Sequence, residues 1–182
     1  MLSITDHWLD QARKAPSPNY NDRPDERDIS LLVIHNISLP PGQFGGPQIE
    51  ALFQNRLDCD AHPYFAPLRE LHVSSHFLIR RDGELVQFVA CNKRAWHAGV
   101  SCWKGRDNCN DFAIGVELEG TDDLPYEDAQ YQALTALIAA LLETYQGLSR
   151  DAITGHQHIA PGRKTDPGPA FDWARLHRSL AS

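Results

Sequence analysis

Residues 31–36 read Leu-Leu-Val-Ile-His-Asn, an unbroken apolar run that stops on two polar side chains. A strand carries such a run when both its faces are covered, because neither has to meet water, whereas a half-solvated strand alternates. Sheets of that kind lie between layers in α/β folds, and clefts open at the C-terminal ends of their strands. His35 and Asn36 stand at such an end. A lone histidine there reads as a satisfied core residue unless a partner elsewhere in the chain gives it work.

Working outward, residues 113–119 (AIGVELE) alternate. Ile114, Val116 and Leu118 share a core face, while Ala113, Gly115, Glu117 and Glu119 share the other. That second face offers two carboxylates behind small residues, which is either room for a ligand or a solvent-facing edge. Residues 73–89 contain a hairpin, with SSHFLIRR and ELVQFV as arms around the turn pair Asp82-Gly83 and His76 as an ordinary residue of the first arm.

Four helices are expected. Trp8, Leu9 and Ala12 fall at helical spacing behind Asp6 over residues 6–14, and Ile49, Leu52, Phe53 and Leu57 mark a short helix after the Pro/Gly loop 40–47. Residues 127–146 have an acidic first turn, an apolar stripe from Tyr131 to Tyr145 and Gly147 beyond the end; residues 172–180 start on Asp172 and carry Trp173, Leu176 and Leu180. Residues 59–72 read as irregular. Strands in the first two thirds with helices around them predict one α/β (α+β) domain over residues 1–182.

The chain has 182 residues and a formal net charge of −7, which disfavours nucleic acid and anionic membrane as partners. Its longest apolar stretch, residues 136–142, is about a third of a membrane crossing. The opening MLSITDHWLDQARK lacks the basic start and apolar run of an export leader, and Cys59, Cys91, Cys102 and Cys109 form no CxxC pair. A cytosolic protein with reduced thiols is therefore expected.

Residues 154–169, TGHQHIAPGRKTDPGP, set two histidines, a lysine and an aspartate among glycines and prolines. Histidine and aspartate ligate metals, and lysine steadies developing negative charge. In a locally extended backbone Lys164 and Asp166, two apart, point to one side. A surface loop with a salt bridge would read the same way, and spacing leaves His156 and His158 equivalent. Trp96-His97, flanked by Ala98 and Gly99, is a surface that could stack on a sugar ring.

Taken together, LLVIHN, SSHFLIRRDGELVQFV, AWHAG, CNDFAIGVELEG and TGHQHIAPGRKTDPGP resemble the zinc-dependent N-acetylmuramoyl-L-alanine amidases with the peptidoglycan-recognition-protein fold. PSPNYNDRPD and SLPPGQFGGP extend the likeness to the branch that cleaves 1,6-anhydro-N-acetylmuramoyl peptides in the cytosol during cell-wall recycling. The resemblance implies a central mixed β-sheet flanked by helices and one zinc per chain, ligated by His35, His156 and Asp166 with a fourth position open to water. It implies Glu117 and Lys164 as catalytic residues and a muropeptide as substrate. Asn36, Tyr64, Trp96, His97, Arg106 and Arg163 are the candidates to grip sugar, lactyl or peptide groups. One departure is His72, where members of that branch often carry arginine; a histidine is only partly charged near neutral pH. A lytic amidase acting on intact murein and a non-catalytic muropeptide-binding module are the alternatives, the second being less compatible with a full ligand set.

Overall fold

The computed structural model describes residues 2–181. The chain begins with β1 (Ile4–Thr5), β2 (Trp8–Leu9), β3 (Arg13–Lys14), β4 (Tyr20–Asp22) and β5 (Leu31–Ile37). After α1 (Gln48–Phe53) come the hairpin β6 (Phe77–Ile79) and β7 (Leu85–Gln87), then β8 (Lys93–Ala95), β9 (Cys102–Trp103), β10 (Arg106–Asp107) and β11 (Ala113–Glu119). The last elements are α2 (Asp128–Thr144), β12 (Ile153–Gly155), α3 (His156–Ile159) and α4 (Trp173–Ala181).

The central sheet is six-stranded, in the order β12-β5-β11-β6-β7-β3. Its first four strands are mutually parallel, β7 is antiparallel to β6 and β3 parallel to β7, so the sheet is mixed, as the resemblance implies. Leu32 and Ile34 of β5 and Ile114, Val116 and Leu118 of β11 pack with Leu134, Leu137, Ile138 and Leu141 of α2 and with Leu176 and Leu180 of α4. On the opposite face Leu31, Val33 and Ala113 lie under Ala98, Phe112 and Ile159. Beside them Leu78, Val86 and Phe88 lie under Ile49, Leu52 and Phe53. Both faces of β5 are thus covered, which is why residues 31–34 do not alternate. All seven residues of β11 are buried, so it is not a solvent-facing edge.

The helix expected over residues 6–14 does not form. Asp6 and His7 take positive φ values of 49° and 67°, and the segment folds back as β1 and β2 before β3 pairs with β7. Three apolar residues in nine positions supply too little helical stability to compete with tertiary contacts. Leu9 is buried, and its N–H donates to Gln87 Oε1 at 2.7 Å. The two C-terminal helices start where their caps place them. The Glu127 N–H donates to Gln130 Oε1 at 3.0 Å, and Asp172 Oδ1 accepts the Arg175 N–H at 2.8 Å.

His76 is fully buried and is part of the frame. It accepts the Gly115 N–H on Nδ1 at 3.0 Å and donates from Nε2 to the Lys93 carbonyl at 2.9 Å. Burial, and then the nearby Arg23 guanidinium, push its pKa down to about 3. A histidine whose folded pKa lies below its unfolded value of about 6.5 binds its proton more readily when unfolded, so stability rises with pH across that interval. It is fully present above about 6.5 and lost as the pH falls. His76→Gln is expected to make urea-unfolding free energy less steep between pH 7 and 5 by up to about one proton. An unchanged slope would show that other groups carry the acid sensitivity.

Candidate metal centre and catalytic groove

Parallel pairing sets Glu117 of β11 directly beside His35 of β5, and Gly155 of β12 beside Ile34. His156, the first residue of α3, follows Gly155 at once, so three strand ends bring His35, Glu117 and His156 to one place. The loop after α3 returns Asp166 to the same spot. Its carbonyl accepts the Gln157 N–H at 2.9 Å, and the next carbonyl, of Pro167, accepts from Asn36 Nδ2 at 3.1 Å and the Tyr126 hydroxyl at 2.8 Å.

His35 Nδ1, His156 Nδ1 and Asp166 Oδ2 form a nearly equilateral triangle with edges of 3.0, 3.1 and 3.1 Å. His156 Nε2–H donates to the Ala98 carbonyl at 3.0 Å, which leaves Nδ1 of the neutral ring with its lone pair turned inward. Lone pairs and a carboxylate crowded this closely repel unless a cation or a proton sits among them. Ligands about 2.0 Å from a tetrahedral zinc stand about 3.3 Å apart, so the triangle fits such an ion after shifts of a few tenths of an ångström. Burial, the largest influence, holds the His35 ring down to about pKa 4. For Asp166 burial acts upward, but hydrogen bonding with His156 and His35 outweighs it and keeps the carboxyl below the usual carboxylate range. His158 stays outside the triangle, its Nδ1 3.3 Å from Thr154 Oγ1 and its ring against Trp173.

Glu117 is 8% exposed, and its Oε2 finds no hydrogen-bond partner among the described residues. Burial, reinforced by the Asp166 charge and opposed by Lys164, raises its pKa well above the ordinary value. Glu119 faces the same way two residues on but is spoken for. It accepts from Gly45 N at 2.7 Å, Arg80 Nη1 at 3.1 Å and Arg81 N at 3.2 Å. Those contacts belong to a separate cavity of about 580 Å³ lined by matched ion pairs of Arg13, Glu50, Arg80 and Glu84.

The groove over the triangle has a volume of about 710 Å³ and is lined by His35, Asn36, Tyr64, Trp96, His97, Glu117, His156, Arg163, Lys164 and Asp166, among others. Ten of the eleven candidate site residues therefore meet here. Arg106 is the correction. It pairs with Asp28 at 2.6 Å and lies 3.8 Å over the Phe112 ring, which holds it at the N-terminal ends of β5 and β11, the end of the sheet remote from His35. Several lining residues are partly committed. Asn36 donates to Asp122 Oδ1 at 2.8 Å, Trp96 Nε1 to Asn21 Oδ1 at 2.8 Å, and Arg163 Nη2 to the Ala98 and Val100 carbonyls, each at 2.7 Å. Tyr64 remains 48% exposed. Thr121 and Asp122 also line the groove and carry no local sequence signal that would mark them.

Space beside Glu117 is not left for a ligand by Gly115. A Cβ there would lie 2.5 Å from His97 Cγ, so the missing side chain makes room for that ring. The His97 Nδ1 in turn sits 2.9 Å from His35 Nε2. Gly115→Ala is expected to lower stability by about 1–3 kcal/mol through overpacking, read as a drop in urea midpoint at unchanged m. A neutral effect would mean that His97 does not need the gap.

Two imidazoles and a carboxylate that could hold a metal ion thus lie in an open groove beside a carboxyl whose Oε2 is buried with no partner among the described residues, a donor set that suits a hydrolytic metal centre. The family model described as N-acetylmuramoyl-L-alanine amidase matches residues 25–169. The 1,6-anhydro-N-acetylmuramyl-L-alanine amidase AmpD of Citrobacter freundii is 61% identical over 175 residues, covering 96% of this chain and 93% of that protein. A crystal structure of a selenomethionine AmpD derivative superposes with a TM-score of 0.95 at 59% identity, covering 97% of this chain and 98% of the other. Escherichia coli AmiD, solved with the substrate anhydro-N-acetylmuramic acid-L-Ala-D-γ-Glu-L-Lys, matches with a TM-score of 0.61 at 28% identity over 98% of this chain and 65% of its own. The chain belongs to the N-acetylmuramoyl-L-alanine amidase family.

Proposed function

We propose that this chain, as one domain over residues 1–182, hydrolyses the amide between the lactyl group of 1,6-anhydro-N-acetylmuramic acid and the L-alanine of the stem peptide, with zinc as its metal. The single observation that carries the chemistry is the Glu117 carboxyl, whose Oε2 is buried with no partner among the described residues, in the groove beside the His35–His156–Asp166 triangle. The anhydro substrate is supported by the names of relatives that share about three fifths of their residues with nearly the whole chain.

His35, His156 and Asp166 would hold the ion. When bound, zinc supplies a Lewis acid that polarises the scissile carbonyl and lowers the pKa of water to about 7. Glu117 takes the proton from the attacking water and delivers it to the leaving amine of L-alanine. Burial raises its pKa above the ordinary carboxylate value, which favours proton acceptance over that of a solvated carboxylate. The Lys164 ammonium faces the oxygen that becomes negative as the tetrahedral centre forms, a contribution of about 3–4 kcal/mol for a well-placed donor. Tyr64 and Trp96 present aromatic surface to the sugar, and Arg163 places positive charge where peptide carboxylates would lie.

Among the described residues no helix is long and apolar enough to cross a membrane. The cytoplasm, where anhydromuropeptides rather than the sacculus are available, is the compartment we assign.

One zinc per chain is expected by elemental analysis, with His35→Ala and Asp166→Ala folded but depleted of metal. Full zinc in both would remove the ligand assignment. Glu117→Gln should keep its zinc and lose about 10²–10⁴-fold in turnover, the usual range for a lost acid–base group. A near-normal rate would move the proton-transfer role elsewhere. On matched substrates with the same peptide, kcat/KM should strongly favour the anhydro sugar over the reducing-end sugar, and equal values would mean that the groove reads only the lactyl–peptide part.

A further inference from the structure

Both candidate histidine ligands are gripped from behind by one dipeptide. His97 Nδ1 lies 2.9 Å from His35 Nε2, and the Ala98 carbonyl accepts from His156 Nε2–H at 3.0 Å. This stretch belongs to no strand or helix, so no backbone ladder fixes it. Arg163 Nη2 donates to the Ala98 carbonyl at 2.7 Å, and one side-chain oxygen holds both N–H groups of the dipeptide. Asn110 Oδ1 accepts the His97 N–H at 3.1 Å and the Ala98 N–H at 2.8 Å. Asn110 is itself 6% exposed, and its carbonyl accepts from the buried Arg23 guanidinium at 3.1 Å.

We infer that His97 and Asn110 are positioning residues of the metal centre: His97 and the Ala98 carbonyl each accept an Nε2–H from a ligand histidine, and Asn110 holds the two acceptors in place. Neutral imidazole carries its proton on either nitrogen, and an acceptor opposite Nε2 selects the form whose Nδ1 lone pair is free. With His35 donating, His97 must carry its own proton on Nε2. That atom is buried without a partner among the described residues, so His97 is better placed to orient His35 than to grip a substrate. Asn110 has no contact with the triangle and acts only through its neighbours.

The inference rests on the metal reading above, and two measurements separate the fates of the two. The first is the zinc dissociation constant by chelator competition for wild type, His97→Phe, Asn110→Ala and Asn110→Asp. The second is the ring ¹⁵N shifts of His35 and His156 in the zinc-free proteins. Loss of an outer partner typically weakens metal binding by about 10–100-fold, and that loss is expected for His97→Phe and Asn110→Ala. Asn110→Asp, which still offers one oxygen to both N–H groups, should stay within about threefold of wild type. In the zinc-free state, His97→Phe should lower the Nε2–H population of His35, and Asn110→Ala that of both rings. A role in stability alone would move neither tautomer. Should Asn110→Ala fail to fold, His97→Phe, which keeps a ring over Gly115, tests the same point. Wild-type zinc affinity and tautomers in these variants would overturn the inference. A wild type that binds no zinc would sink the metal reading, while the tautomers still decide this one.

Discussion

The parallel register between β5 and β11 is the constraint on which the rest depends. It places His35 and Glu117 side by side on one face, and their apolar neighbours Ile34, Val116 and Leu118 on the other against α2 and α4. A slip of one residue in either strand would turn its polar group into that core and its core residues into the groove. Helix packing and site assembly are therefore one specification. Burial of the apolar face fixes the register, and the register fixes the placement of His35 beside the Glu117 carboxyl.

The site is also where local satisfaction is given up. Three electron-rich atoms meet within about 3.1 Å of one another, and Glu117 Oε2 is buried with no partner among the described residues. Interiors ordinarily avoid both arrangements, since an unpaired buried polar group costs roughly 1–3 kcal/mol. The neighbouring glutamate on this strand is treated differently. Glu119, on the same strand face, takes hydrogen bonds from two backbone N–H groups and Arg80. The contrast between two glutamates two residues apart marks Glu117 as the carboxyl left open to the groove.

How much of this could be read in the residues depended on range. The run LLVI followed by His-Asn announced a strand covered on both faces with a polar end, because burial on two sides leaves a direct mark on composition. The hairpin and the two C-terminal helices were legible from turn chemistry, caps and a full apolar stripe. The segment 6–14 was not, since Leu9 answers to Gln87, 78 residues further along the chain, which local spacing does not record. In the groove, residue chemistry nominated histidine, aspartate and lysine. The choice between His156 and His158 needed the family resemblance, and the geometry puts His156, the residue directly after β12, into the triangle. Arg106 misled because an exposed arginine between polar residues looks the same whether it faces a substrate or, as here, Asp28 and Phe112. Asn110 carries no local signal of its own, as its side-chain oxygen meets two main-chain N–H groups 12 and 13 residues away.

The most direct test of the account is hydrolysis of a defined 1,6-anhydro-N-acetylmuramoyl peptide, followed by mass analysis, for the enzyme as purified, after chelation and after zinc is restored. The account predicts release of the free stem peptide with L-alanine at its N-terminus and of intact anhydro-N-acetylmuramic acid. It predicts that this activity disappears with the metal and returns with it. Cleavage at any other bond, or full activity in chelated protein verified to be zinc-free, would contradict it.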